Sequence, residues 1–305
     1  MTRKVPPRKT SPDKPSFGKH ASGKPTSGMT NSGKPSAKNA GREERRPNKP
    51  AERPERPAPQ RRESHGSADF VRIYGFHSVT AALRAPRRKL IRLYATPAAQ
   101  EKLAAEISER GVEVKIVEAD EITARLPRDA VHQGVFLEAQ PLEPIDISEL
   151  PANGLVLALD QVTDPHNVGA ILRTAAAFAV DALIVTERHS PEFTGVLAKA
   201  ASGGLEHVPL CVVTNLARAL DEVGDLGYFR VGLDSEAPTQ LDAMQLTRPL
   251  VLVMGAEDKG LRRLTRERCD AMARLELPGA IKSLNVSNAT AIALALTHAR
   301  LNKTI

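Results

Sequence analysis

From Leu155 onward the chain reads as short apolar runs, LVLALD, ALIVT, PLCVV, YFRVGLD and PLVLVMG, separated by stretches with helical spacing. A run that is apolar at every position, rather than at alternate ones, has both of its faces buried. Such strands alternating with helices imply a mostly parallel sheet covered on both sides, so the fold class is α/β. Ligands of a sheet of this kind lie beyond the carboxyl ends of its strands, in the loops that lead into helices. The last segment, VSNATAIALALTHARLNK, has the Ala, Ile and Leu spacing of a long helix with a buried face.

The segments before Leu155 differ in kind. Residues 69–141 read as a small α/β unit: FVRIYGFHSVTAAL enters a helix, KLIRLYAT, VEVKIV and GVFLEA are strands, and AAQEKLAAEISERG has helical spacing. Residues 142–154 are rich in Pro and acidic side chains, as a linker would be. Residues 1–68 form a tail; up to Gly66 it holds 17 Lys+Arg against 6 Asp+Glu, a net +11 that leaves −4 for the rest of the chain. It also carries 11 of the 23 prolines and few large apolar side chains, so it cannot offset the entropy of ordering and is expected to be disordered. A mobile cationic segment attracts RNA or DNA without reading sequence, although a solubilising extension would have the same composition. Its scattered Asp and Glu argue against a transit peptide.

No run approaches the 18 or so apolar residues of a membrane span, and no secretory h-region opens the chain, which points to the cytosol. Cys211 and Cys269 lack any metal-ligand spacing, so no metal is expected. The absence of Trp and the scarcity of other aromatics disfavour recognition of RNA by base stacking.

Three strand-to-helix connections carry candidate chemistry. In LDQVTDPHNVGAILRTAAAF, Asn167 stands where a helix N-cap is expected, and Arg173 lies off the apolar stripe, where its guanidinium can reach back to the loop as a phosphate fork. In LVMGAEDKGLRRLT, Gly255 and Gly260 have P-loop spacing, but Leu261 and Arg262 stand where a P-loop needs Lys and Ser or Thr. There a glycine after an apolar strand lets backbone approach a ligand, Glu257 projects into the crevice, and Lys259, Arg262 and Arg263 offer a cationic rim. In RLELPGAIKSLNVSNATAIALA, Ser283, Asn285, Ser287 and Asn288 lead into the final helix and supply mixed donors and acceptors. Simple capping, a solvated charge and an idle turn are the plainer roles for these residues.

In that order, PHNVGAILRTA, LVMGAEDKGLRR and LPGAIKSLNVSNATAIAL resemble the three motifs of the SpoU branch of the SPOUT RNA methyltransferases, and residues 73–137 are similar to the family's small RNA-recognition domain. The nearest likeness is to members that methylate a guanosine ribose in bacterial 23S ribosomal RNA; a transfer RNA substrate, or an inactive RNA-binding relative, are the alternatives. The resemblance implies a catalytic domain tied in a trefoil knot, a homodimer, and S-adenosyl-L-methionine as methyl donor. It implies catalytic roles for Asn167, Arg173, Glu257, Ser283 and Asn285, and cofactor contacts from Gly255, Leu275 and Leu284. One departure is local: Pro278 follows Leu275, Glu276 and Leu277, later than the family pattern has it. An NAD-dependent oxidoreductase would share the parallel sheet, but no GxGxxG follows the first strand.

Overall fold

A computed structural model of the chain describes residues 70–188, 190–191, 195–257 and 259–302; the expected disordered tail lies outside them. The first sheet has four strands, β1 (Val71–Tyr74), β2 (Leu90–Ala95), β3 (Val114–Ile116) and β4 (Val135–Ala139). Their order is β1-β4-β2-β3, with β4 antiparallel to both neighbours and β3 parallel to β2. VRIY, read only as the approach to a helix, is itself a strand. Gly75, at φ +88°, turns the chain sharply into α1 (Phe76–Arg84), a conformation that favours glycine.

The single helix expected over AAQEKLAAEISERG is two, α2 (Pro97–Lys102) and α3 (Ala104–Arg110). They break at Leu103, whose side chain is fully buried. No Gly or Pro marks that break; burying Leu103 sets the bend. The short α4 (Ala119–Arg125) was not foreseen. His132 closes the loop before β4: its Nδ1 accepts from Gly134 N at 3.1 Å and its Nε2 lies 3.1 Å from Thr123 Oγ1, a structural role.

The second sheet has seven strands. In chain order the elements are β5 (Leu155–Asp160), α5 (Pro165–Ala177), β6 (Ala182–Thr186), α6 (Gly195–Ala201), α7 (Gly204–His207), β7 (Leu210–Val213), α8 (Leu216–Asp225), β8 (Phe229–Leu233), β9 (Thr239–Gln240), β10 (Leu250–Gly255), α9 (Arg263–Glu267), β11 (Ala271–Arg274) and α10 (Val286–Leu301). The strand order is β7-β6-β5-β10-β8-β11-β9, and every pairing is parallel. The five apolar runs are β5, β6, β7, β8 and β10. The two short strands β9 and β11 were not foreseen.

The pleat divides each run between two cores. Leu155, Leu157 and Leu159 of β5 join Leu250, Leu252 and Met254 of β10 in one cluster, together with Ile171 and Leu172 of α5 and Leu294 of α10. Val156 and Ala158 join Val251 and Val253 on the other face, beneath Leu216, Leu220 and Val223 of α8. Each such fully buried Leu contributes roughly 1.5–3 kcal/mol of transfer free energy.

The two sheets belong to one compact unit. Tyr74 and the Arg72 carbonyl pack against Gly195, and Ala81 packs against Gly203. The Ser78 hydroxyl donates to Ala198 O at 3.1 Å. Arg88 and Glu206 form an ion pair at 2.5 Å with side chains 1% and 3% exposed. The segment 142–154, expected as a linker, packs on the second sheet: Ile145 N donates to Leu210 O at 2.8 Å. A capping box at Asp146 and Glu149 then fixes a 3-10 turn that buries Ile147 and Leu150.

Candidate active site

The ends of β5 and β10 lie side by side, with Asp160 in register with Gly255. The three loops identified in the sequence begin or meet at this edge. The first turns through Asp164, which caps α5 by accepting from His166 N at 2.9 Å, with Pro165 as the first helical residue. The expectation that Asn167 is the cap is therefore corrected. A Pro at the first helical position needs no N–H partner, so the Asp-Pro pair starts the helix instead of ending a turn. Asn167 lies one residue into the first turn beyond His166, and its amide is left free for another partner.

That partner is Asn285, the N-cap of α10. Asn285 Oδ1 accepts from Ser287 N at 2.9 Å and from Ser287 Oγ at 2.6 Å. These contacts fix the amide orientation, so Nδ2 faces the other way. It donates to Asn167 Oδ1 at 3.0 Å and to Glu257 Oε2 at 3.2 Å. One amide thus ties together loops 118 and 28 residues away in sequence. With Asn167 Oδ1 engaged, its Nδ2 is the group it presents to a ligand.

Gly255 closes β10 and forms the base of a tight turn in which Gly260, at φ +60°, donates its N–H to Ala256 O at 2.8 Å. A Cβ on Gly255 would run into the backbone of Gly260 and Leu261. Beside this turn opens a cavity of about 330 Å³. Gly255, Leu275 and Leu284 line it with Met254 and Val286, giving an apolar wall, and Ser235, Glu236, Glu257, Lys259 and Ser283 give a polar rim. Of the eight site residues expected from sequence, five line this cavity; Asn167 and Asn285 are bonded directly to each other at its side, and Asn285 also to the lining Glu257. Arg173 is not brought to the cluster. It is exposed on α5, and its side chain makes no hydrogen bond or ion pair with another described residue.

The expected cationic rim is divided. Lys259 lines the cavity, but Arg262 is turned toward the fully buried Asp160, donating from its backbone N (2.9 Å) and its Nε (2.7 Å). Arg263 pairs with Glu267 at 2.5 Å. Asp160 was missed in the sequence, although an Asp ending an otherwise apolar strand was its signal. Asp234, which lines the cavity and pairs with Arg266, ends the run YFRVGLD in the same way and was missed with it. Burial pushes the thiols of Cys211 and Cys269 up to about 12, so both are neutral near pH 7 and neither supplies a thiolate. Among the described residues no group of three His, Cys, Asp or Glu side chains is placed to hold a metal, and no helix is long and apolar enough to cross a membrane.

Comparison with known proteins gives two family models in succession. The RNA 2'-O ribose methyltransferase substrate binding model matches residues 72–145, and the SpoU rRNA Methylase family model matches residues 154–295. A relative from Pseudomonas putida, the 23S rRNA (guanosine-2'-O-)-methyltransferase RlmB, is 41% identical over 240 residues, covering 74% of this chain and 95% of that protein. Among solved structures, the AdoMet-bound rRNA methyltransferase of Sinorhizobium meliloti is 24% identical with a TM-score of 0.65, over 76% of this chain and 88% of that one. The SpoU methyltransferase AviRb of Streptomyces viridochromogenes, in complex with AdoMet, is 21% identical with the same TM-score, over 76% and 90%. At these identities the structural likeness speaks for the fold.

Proposed function

Because the chain belongs to the SpoU rRNA methylase family, we propose that it methylates the ribose 2′-hydroxyl of a guanosine in 23S ribosomal RNA, using S-adenosyl-L-methionine. The observation that carries this reading is the Asn167–Asn285–Glu257 network beside a cavity lined by Gly255, Leu275 and Leu284. The cavity suits the cofactor: its apolar wall can take a flat adenine, and its serines, Glu236 and Lys259 can meet ribose hydroxyls and a zwitterionic amino acid. When bound, the cofactor supplies an already activated methyl group. The remaining work is to align the hydroxyl with it and to ease loss of the hydroxyl proton.

Asn167 offers its Nδ2 to the ribose, while Asn285, itself bonded to Glu257, holds that amide in place. Ser283 lines the cofactor side. The Arg173 side chain has no partner among the described residues, which leaves its guanidinium for the substrate's phosphate and for developing alkoxide charge. A guanidinium with a pKa above about 12 serves there as an electrostatic stabiliser more readily than as a base. The stretch between β10 and α10 is inferred to thread as the family's knot. Two copies are inferred to pair through the exposed apolar residues of α10, Ile292, Ala295 and Ala299.

The test is to incubate the purified full chain with methyl-labelled cofactor and a 23S ribosomal RNA transcript, then digest the RNA to nucleosides. Label is expected in 2′-O-methylguanosine and is expected to fall at least about 100-fold for Arg173→Ala, the scale of a lost transition-state donor. Label on a base, or none at all, would overturn the reading.

A further inference from the structure

A second cavity, of about 500 Å³, opens at the carboxyl ends of β6 and β7. Its lining includes Thr186, Arg188, Thr214, Asn215, Arg262 and Arg263, and among the described residues no Asp or Glu lines it. Three guanidinium groups around one space repel one another unless an anion sits between them. The carboxylates that do engage them lie to the side: Asp160 holds the backbone N and Nε of Arg262, leaving its terminal nitrogens, and Glu267 holds one nitrogen of Arg263. The Arg188 side chain makes no hydrogen bond or ion pair with another described residue.

Two further features point to a ligand. Thr186 is 3% exposed, and its Oγ1 is buried with no hydrogen-bond partner among the described residues. An unpaired buried hydroxyl destabilises the fold, so its retention at the wall of a cationic cavity calls for a partner from outside. The second feature is the N-terminus of α8. The Asn215 side chain caps Arg218 N at 3.2 Å and the Asn215 carbonyl serves Ala219 N, so the N–H groups of Leu216 and Ala217 remain outside the helix ladder and add positive potential.

We propose that this cavity is a second RNA contact, which grips a backbone phosphate of the substrate strand away from the methylated nucleotide. The inference rests on the RNA-directed reading above. Phosphate contacts of this kind set the register of the strand without reading its sequence. The cavity is wider than one phosphate requires, and its cations come from separate segments, which suits a polyanion more than a lone ion. Arg262 ties it to the methylation site, since the Asp160 that holds Arg262 ends the strand paired with Gly255.

The test uses two variants of the full chain, Arg188→Ala and Thr186→Val, with binding of a 23S ribosomal RNA transcript measured across a salt series. Arg188→Ala is expected to weaken binding about tenfold and to reduce the slope of log affinity against log salt by roughly 1, the signature of one lost phosphate contact. Thr186→Val keeps the shape of the side chain and removes the orphaned hydroxyl. It is expected to leave the thermal midpoint unchanged or raised, yet to weaken RNA binding several-fold, with cofactor affinity unaltered in both variants. RNA affinity and salt slope equal to those of the parent in both variants would overturn the proposal. So would a lowered thermal midpoint in Thr186→Val with RNA affinity intact, because the hydroxyl would then serve the fold. A parent protein that binds RNA without methylating it would sink the reaction proposed above, whereas methylation with both variants indifferent would sink this cavity alone.

Discussion

Asn285 is both a helix cap and a clamp, and the two roles depend on one geometry. Its oxygen serves Ser287 and so commits its nitrogen to Asn167 and Glu257. Gly255 shows how little room the neighbouring turn leaves, because any Cβ there meets the backbone of Gly260 and Leu261. Gly255→Ala is therefore expected to displace the turn that floors the proposed cofactor cavity. Cofactor affinity measured by calorimetry should fall at least about tenfold, or 1.4 kcal/mol, in a protein that still folds. An unchanged dissociation constant would remove this turn from the cofactor site. The identities of these residues were legible because short polar side chains cluster after apolar strands. Their partners were not, since a hydrogen bond across 118 residues leaves no local pattern. Asn167 illustrates the limit: the sequence offers it both as a helix cap and, by resemblance, as a catalytic residue, and the first of these fails because Asp164 and Pro165 already start the helix.

At the scale of elements, the five long strands were legible because burial on both faces writes itself as an unbroken apolar run. The strands β9 and β11 were not. Two residues of TQ and four of AMAR carry no usable period, and their pairing is decided by the edge they meet. The break between α2 and α3 was equally hidden, because Leu103 bends the chain to reach the core rather than through any helix-breaking residue. The last helix, α10, is the most telling element. It is apolar nearly all round: Ala293 and Leu294 face the core, while Ile292 stays 41% exposed beside the exposed Ala295 and Ala299. A helix with apolar residues on its outward face has surface left to cover. Ile292→Glu is expected to shift sedimentation of the protein from dimer to monomer while leaving its circular dichroism intact. A parent chain that sediments as a monomer would contradict the proposed assembly.

For the molecule as a whole, the fold class and the order of the three motifs were visible in the sequence, whereas the strand order β7-β6-β5-β10-β8-β11-β9 was not. That order places the loop after β5 beside the loop after β10, and the start of α10 between them. Contacts made this way exist only when the entire sheet is assembled, and local pattern does not specify them. The buried Arg88–Glu206 pair and the Ser78 contact then fasten the small sheet to the large one. The central proposal is that Asn167 and Asn285, 118 residues apart in sequence but hydrogen-bonded at 3.0 Å, act as one unit on the reacting ribose. Its most direct test is a double-mutant cycle on single-turnover methylation with Asn167→Ala, Asn285→Ala and the pair combined. Groups that work as a unit lose their effect together, so the double variant is predicted to be no more than about threefold slower than the slower single variant. Losses that multiply, with the double variant slowed by the product of the two single effects, would contradict the account.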